Sequence, residues 1–414
     1  MKFDGTYKSM RLPQRKLALF LRPPWINIAL TLATLLTCSV ANASSTKNFV
    51  DDTLSLSPII TDLSASWAIN VGPDNLLYVT HRSGQLSTYS LSGELLTKID
   101  LQLNDLYYAG QGGLSAIAFH PNFDRQPWIY LSYSYGSKTA NGLKVIRVLL
   151  KNSKPESEQL ANPSTPRALN VDGVAVSETI FEQADLRSTA AHYGARLAFM
   201  ADSSLLISTG DGFDYREHAQ KRTSDMGKIL RLTDTGEAHA NNPFMSADTF
   251  SQRAVYSFGH RNPQGLIVLS DQQIVAHEHG PAGGDEINLI NSGVNYGWPV
   301  ITQGKDYIGS LISPFTEYDN MEQPAFNWTP SIAPSGMIFY NSEVIPDFSN
   351  RLLLTSLKYQ QLHSLVLNNE GVTDERIFFA NSGYRMRDIT MSKDGRVFIL
   401  GDGDMASVFE VVMH

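Results

Sequence analysis

The residue types suited to chemistry cluster in a few short segments of this chain. The densest is His277-Glu-His-Gly-Pro-Ala-Gly-Gly-Asp-Glu286. Residues two apart on a strand share a face, so His277 and His279 would suit a transition metal. Alternatively, Glu286 and the backbone carbonyls of this glycine-rich loop would suit calcium, although the spaced acids of an EF-hand are missing. Asn295-Tyr-Gly-Trp-Pro299 follows and adds an aromatic wall. His192-Tyr-Gly-Ala-Arg196 brackets a strand start with a histidine, a proton acceptor near neutral pH or simply a structural side chain. Gly259-His-Arg-Asn-Pro-Gln-Gly265 offers Arg261, whose guanidinium would stabilise a developing oxyanion or close a salt-bridged turn. Arg385 and Arg387 alternate onto one side, where with Lys358 they would grip a polycarboxylate or else remain solvated. Gly110-Gln-Gly-Gly-Leu114 would let backbone approach a flat ligand closely, or form a plain tight turn.

Segments so far apart need a scaffold that returns them to one place. From residue 60 onward the pattern is that of strands: short β-branched and aromatic runs broken by Gly, Asp, Asn and Pro. An apolar strand, a small turn and a second apolar strand recur six times. The copies begin at Trp67, Ala116, Leu197, Gly265, Gly336 and Ile389. Repeated hairpin units of this kind predict an all-β, six-bladed β-propeller, whose blade-end loops converge on one mouth. Glu217–Leu230 contains the one modest helical candidate, and the polar, Pro/Ser/Asn-rich run at 151–174 reads as a surface insertion between blades.

The chain has 414 residues, 33 Lys and Arg against 41 Asp and Glu, and a formal charge of −8. That acidic balance argues against nucleic acid as the main partner. Residues 1–22 carry six cations, a charge-free apolar run extends from Trp25 to Val40, and Ala41-Asn-Ala43 ends it. This layout predicts a signal peptide over residues 1–43 and a single propeller domain over 44–414, periplasmic or secreted. An N-terminal membrane anchor and a lipoprotein acylated at Cys38 are the weaker readings. Cleavage would leave 27 cations against 40 anions, no cysteine and no further apolar run long enough to span a bilayer.

Taken in order, GQGGLSAIAFHPNF, HYGARLAF, GHRNPQG, HEHGPAGGDEINLI, NYGWP, APSGMIFY and RMRD resemble the soluble PQQ-dependent aldose sugar dehydrogenases, across roughly residues 60–410. The resemblance implies a six-bladed propeller holding pyrroloquinoline quinone (PQQ) and calcium at one mouth. It implies that His192 is the base that takes the proton of the sugar's C1 hydroxyl while C1 gives a hydride to the quinone. It places Arg261 beside the reacting carbonyl, Asn262 and Gln111 in the cofactor pocket, and Asp211 of Thr209-Gly-Asp-Gly212 as the acid positioning the base or substrate. Lys358, Arg385 and Arg387 would bind the cofactor's carboxylates. The carbonyls of Gly280 and Pro281 would hold a catalytic calcium, Glu286 with the Tyr296 carbonyl a structural one, and Asp306 a further site; His277 and His279 would then support the pocket.

The reading that follows is an enzyme oxidising aldoses at C1 to lactones and passing electrons to an external acceptor, as a monomer or homodimer. A calcium-dependent lactonase would need a carboxylate-rich metal centre in place of the cations. A non-catalytic binding propeller would not need His192 and Arg261. Three features depart from the family pattern: Ala195 where glycine or serine is frequent, the long acidic loop after Gly210, and the insertion at 151–174.

Overall fold

Strands buried on both faces read as unbroken apolar runs, and here they form the inner half of each sheet. Leu77–His81, Leu205–Thr209 and Val397–Gly401 are buried along their whole length, whereas the outer strand Leu95–Asp100 alternates between exposed and half-buried residues. The computed structural model describes residues 47–48, 53–150, 177–368, 371–380 and 382–414. All lie within the compact unit Ser44–His414. The expected signal peptide and the insertion at 151–174 fall outside the described residues.

Six antiparallel sheets form the six blades of a β-propeller. Their inner strands are Ser66–Val71, Leu114–Phe119, Gly194–Phe199, Pro263–Val268, Pro334–Tyr340 and Met386–Met391, for blades 1 to 6. Each expected hairpin is the inner pair of one blade. The outermost strand of blade 6 comes from the other end of the chain: Leu54–Leu63 pairs antiparallel with Ala406–Met413. This closes the ring through backbone hydrogen bonds between the two ends of the chain. Lys47–Asn48 adds a short parallel strand to the outside of blade 5. The helical candidate becomes a 3-10 turn, Arg216–Gln220, followed by the strand Lys228–Leu232. The alternating faces of the blade, not the helix period, govern that segment.

Six clusters of buried apolar side chains hold the ring together, each centred on the junction between neighbouring blades. Tyr78 and Leu86 of blade 1, for example, pack with Ile117, Ile129 and Leu131 of blade 2. Burying one such side chain fully stabilises by about 1.5–3 kcal/mol. In every blade the register shifts at the start of the inner strand. A bulge re-aims the side chains beside it, so six bulges stand around one mouth of the central channel.

One ion pair crosses that channel. Arg196 of blade 3 donates to the Asp388 carboxylate of blade 6 at 2.9 Å, to the Gln264 carbonyl of blade 4 at 2.6 Å and to the Ser335 carbonyl of blade 5 at 2.8 Å. Its guanidinium lies 4.5 Å from the ring centroid of Trp67 in blade 1, and Asp388 also accepts from the Ile69 amide there at 3.0 Å. The pair divides the channel. Above it lies a cavity of about 600 Å³, lined by Trp67, Ala195, Gln264 and Arg387; below it lies one of about 530 Å³, lined by Ala68, Arg196, Gly265 and Asp388. With Ser115 above and Ala116 below, the boundary falls between consecutive residues of one inner strand in five blades.

Candidate active site

The upper cavity sits over the bulged strand starts and receives the loops at that end of the blades. His192 enters just before the inner strand of blade 3, with its backbone at φ 52°. Ala195 follows at φ 77° and Phe213 stands at φ 67°. Left-handed backbone at non-glycine residues costs on the order of 1–3 kcal/mol each and persists where the surroundings over-determine it.

His192 and Asp211 form a buried pair. The imidazole Nδ1–H donates to the Asp211 carboxylate at 2.7 Å. An ionised carboxylate only accepts, so Nδ1 carries the proton and Nε2 keeps its lone pair. Asp211 is fully buried and also accepts from the Trp298 indole at 2.8 Å and the Phe213 amide at 2.8 Å. The His192 amide in turn donates to the Gln111 side chain at 2.8 Å. Burial pulls the His192 pKa below its usual value; Asp211 opposes that fall, while Arg261 and Arg187 add to it. The site therefore holds a neutral imidazole with an oriented, unshared lone pair, as a general base requires.

Arg261 and Asn262 occupy the turn into blade 4, fixed from below by Glu278. Its carboxylate accepts from the amides of Arg261 and Asn262 and from His260 Nδ1 at 2.9 Å. The Arg261 guanidinium donates to the carbonyls of His279 and Gly280, both at 2.9 Å, and to the Tyr307 hydroxyl at 3.2 Å. It lies 5.3 Å from the Trp298 ring centroid. Asn262 accepts from the Gly194 amide at 3.1 Å, joining the two turns. A side cavity of about 200 Å³ opens between Arg261, Phe213 and Tyr307, whose rings are stacked 6.3 Å apart.

The cations expected from distant segments do meet. Lys358, Arg385 and Arg387 line the upper cavity with Gln111 and Asn262, and Arg82 joins them. Arg385 and Arg387 are not independent, because both donate to Asp402, at 3.0 Å and 2.7–2.9 Å. Burial opposes it, yet these two guanidiniums hold the Asp402 carboxyl below the usual range. The shared carboxylate fixes the fork geometry and offsets part of its charge.

The residues implied as metal ligands separate into two places. The Gly280 carbonyl already accepts from Arg261, and Asp306 faces Arg216 at 3.8 Å beside Pro281 and Tyr307 in the side cavity. Glu286 stands elsewhere, with Glu278 and Asn288. Burial first, and Glu278 second, push its carboxyl up to about 8. Among described residues its side chain accepts only from Asn288 at 3.3 Å, and the Asn288 amide oxygen has no partner. Excess negative charge and an unused oxygen fit a hard cation. No group of three or more His, Cys, Asp or Glu side chains among the described residues could hold a metal. His277 and His279 do not act together: His279 Nε2 donates to the Pro334 carbonyl at 2.6 Å, whereas both His277 nitrogens are buried without a hydrogen-bond partner among the described residues.

Glu278, Asp402, Arg82 and Arg187 thus belong to the site although their types and spacing did not assign them roles, and Trp298, expected only as aromatic wall, also donates to Asp211. Glu278 and Trp298 stood inside the motifs, but a tether shows itself only when its amides are in view.

Comparison with known proteins bears on this geometry. Residues 63–410 match the Glucose / Sorbosone dehydrogenase family. The chain is 33% identical over 355 residues to aldose sugar dehydrogenase YliI of Escherichia coli, covering 84% of this chain and 90% of that one. It superposes on the crystal structure of the soluble aldose sugar dehydrogenase from Escherichia coli in the apo-form, with TM-score 0.79, 31% identity and coverage of 87% and 100%. It also superposes on the PQQ-bound form of aldose sugar dehydrogenase from Streptomyces coelicolor, with TM-score 0.68, 25% identity and coverage of 87% and 98%.

Proposed function

The chain belongs to the Glucose / Sorbosone dehydrogenase family, and from this we propose that it is a PQQ-dependent sugar dehydrogenase that oxidises aldoses at C1 to lactones. The observation that carries the reading is His192, oriented through Nδ1 by Asp211 and standing directly before Tyr193 and Gly194, which line a cavity ringed by cations. That cavity fits the cofactor: Lys358, Arg82 and the Arg385–Arg387 fork offer positive charge to carboxylates, and Gln111 and Asn262 offer polar contacts. Bound there, the quinone supplies the two-electron acceptor for the hydride.

The protein's own part is proton transfer and charge placement. His192 Nε2 takes the C1 hydroxyl proton, and Asp211 stabilises the imidazolium that results. Removal of that proton would make C1 a readier hydride donor, which is what a bound quinone would require. Arg261 supplies a fixed cation where negative charge grows, and its ties to two carbonyls hold it there without reorganisation. Water is limited by depth, since His192, Arg261 and Asn262 are buried while Gln111, Lys358 and Arg385 are exposed at the mouth.

Reconstitution tests the reading. Adding PQQ and calcium to the purified protein should give aldose-dependent reduction of an artificial dye, with the lactone identified as product. Absence of both cofactor binding and sugar-dependent reduction would refute it. The physiological acceptor is external, and we place the enzyme in the periplasm or outside the cell, with residues 1–43 removed; an intact-mass measurement starting near Ser44 would support that.

Calcium is part of the proposal, through Glu286, Asn288 and the Tyr296 carbonyl. A divalent ion supplies the positive charge that the Glu278–Glu286 pair lacks. Glu286→Gln is expected to abolish the rise in unfolding temperature given by calcium over chelator. An equal rise in wild type and variant would remove Glu286 from the site.

A further inference from the structure

Behind the His192–Asp211 pair, the connection from blade 2 to blade 3 buries a cation that neither the cavity nor its rim uses. Arg187 is 1% exposed. Its amide and carbonyl both pair with Asn141, and the Asn141 side chain donates to the same carbonyl at 2.9 Å. The guanidinium lies 4.3 Å from the ring centroid of Tyr193, whose hydroxyl donates to Asn141 at 2.6 Å. On its other side, a Cβ built on Gly212 would come within 2.6 Å of the Arg187 Cδ. Arg187 therefore packs against the residue after His192 and against the residue after Asp211.

Its compensation is unusual. Nη1 donates to the Gln183 side-chain oxygen at 3.3 Å, while Nε and Nη2 have no hydrogen-bond partner among the described residues. A buried guanidinium whose hydrogen-bond acceptor is a neutral amide keeps more of its field than one bonded to a carboxylate. The charged and titratable groups facing it are Tyr193, Asp211 and Tyr215. Those facing His192 are Asp211, Arg261, Arg187 and His279. Only Asp211 favours a protonated imidazole.

We propose that Arg187 is a positioning residue for the proton-transfer step: a buried cation hydrogen-bonded to a neutral amide, which props the His192–Asp211 pair and holds His192 in its neutral, proton-accepting form. The inference rests on His192 being the base.

Gln183→Glu tests it with almost no change of shape. Gln183 is fully buried, and its oxygen already accepts from Arg187 and from the Leu143 amide at 3.0 Å. Its Nε2 has no partner, so a carboxylate loses no hydrogen bond and offers an oxygen to the unpaired guanidinium N–H groups. Neutralising a cation close to His192 should raise the His192 titration by roughly half a unit to two units. The readout is NMR of histidine-labelled protein without cofactor, with the His192 signal assigned by its loss in His192→Gln.

Arg187→Met should move the titration in the same direction, and Arg187→Lys should return it toward the wild-type position. An unmoved His192 titration in either folded charge-removing variant, Gln183→Glu or Arg187→Met, overturns the proposal. The acid limb of kcat/KM in the reconstituted enzyme should follow the titration. If the titration moves and the limb does not, the electrostatic role stands and His192 is not the base.

Discussion

His192→Ala is expected to lower kcat by about 10²–10⁴-fold, the usual contribution of a positioned general base, with cofactor affinity nearly unchanged. The split follows from the geometry. The cations that would hold the cofactor's carboxylates come from blades 1, 5 and 6, whereas His192 stands at blade 3. Alanine also suits the site, because it leaves the His192 amide able to donate to Gln111 and removes only the imidazole. Rapid-mixing kinetics with saturating sugar would measure the loss, and fluorescence titration with PQQ the retained binding. Turnover within a factor of a few of wild type would show that another group takes the proton.

The same argument fixes the direction of the pH profile. The base must be neutral to act, and burial, Arg261 and Arg187 all pull its pKa below the ordinary histidine value of about 6.5. The acid limb of kcat/KM should therefore lie below pH 6.5, with activity fully present above it. A limb above that value would mean that the site favours imidazolium and that Asp211 outweighs burial and the two arginines together.

What the sequence made legible follows from where apolar surface is buried. The inner hairpins of all six blades are readable because strands such as Leu77–His81 and Leu205–Thr209 are covered on both faces. Outer strands such as Leu95–Asp100 meet water and blur into loop composition. The closing strand Leu54–Leu63 lies before the first recognised unit, and its partner is more than 300 residues away, so no local pattern reveals its role.

The site divides in the same way. His192, Arg261, Lys358, Arg385 and Arg387 stand out because their types and neighbours are unusual, and the fold brings their loops to one end of the ring. Asp402 was missed because a carboxylate on a loop has no local mark. Its function depends on two arginines 15 and 17 residues back reaching it across the sheet. Arg187 was missed for a stronger reason: its importance lies in its burial without a carboxylate hydrogen-bonded to its guanidinium among the described residues, which only three-dimensional structure can show.

The HYGAR and RMRD motifs contained a second message, carried by Arg196 and Asp388. Arg196→Met is expected to destabilise the protein by about 3–5 kcal/mol, because it leaves Asp388 buried and charged without its partner. Asp388 is 3% exposed and would keep the Ile69 amide as a donor, too little to replace a guanidinium. Burial already pushes its carboxyl up and pulls the Arg196 guanidinium down, as expected for charges removed from water. Arg196→Met with Asp388→Leu should be more stable than Arg196→Met alone, because the buried carboxylate left without its guanidinium is then gone. The recovery should be incomplete. The Gln264 and Ser335 carbonyls also lose their donor, and an unsatisfied buried acceptor costs about 1–3 kcal/mol. Urea unfolding of the four proteins in the cycle gives the coupling directly. A double variant no more stable than the single would show that the carbonyl ties, and not the ion pair, join the blades. If the coupling is found, the group that separates the two cavities is also what holds four inner strands in register beneath the site.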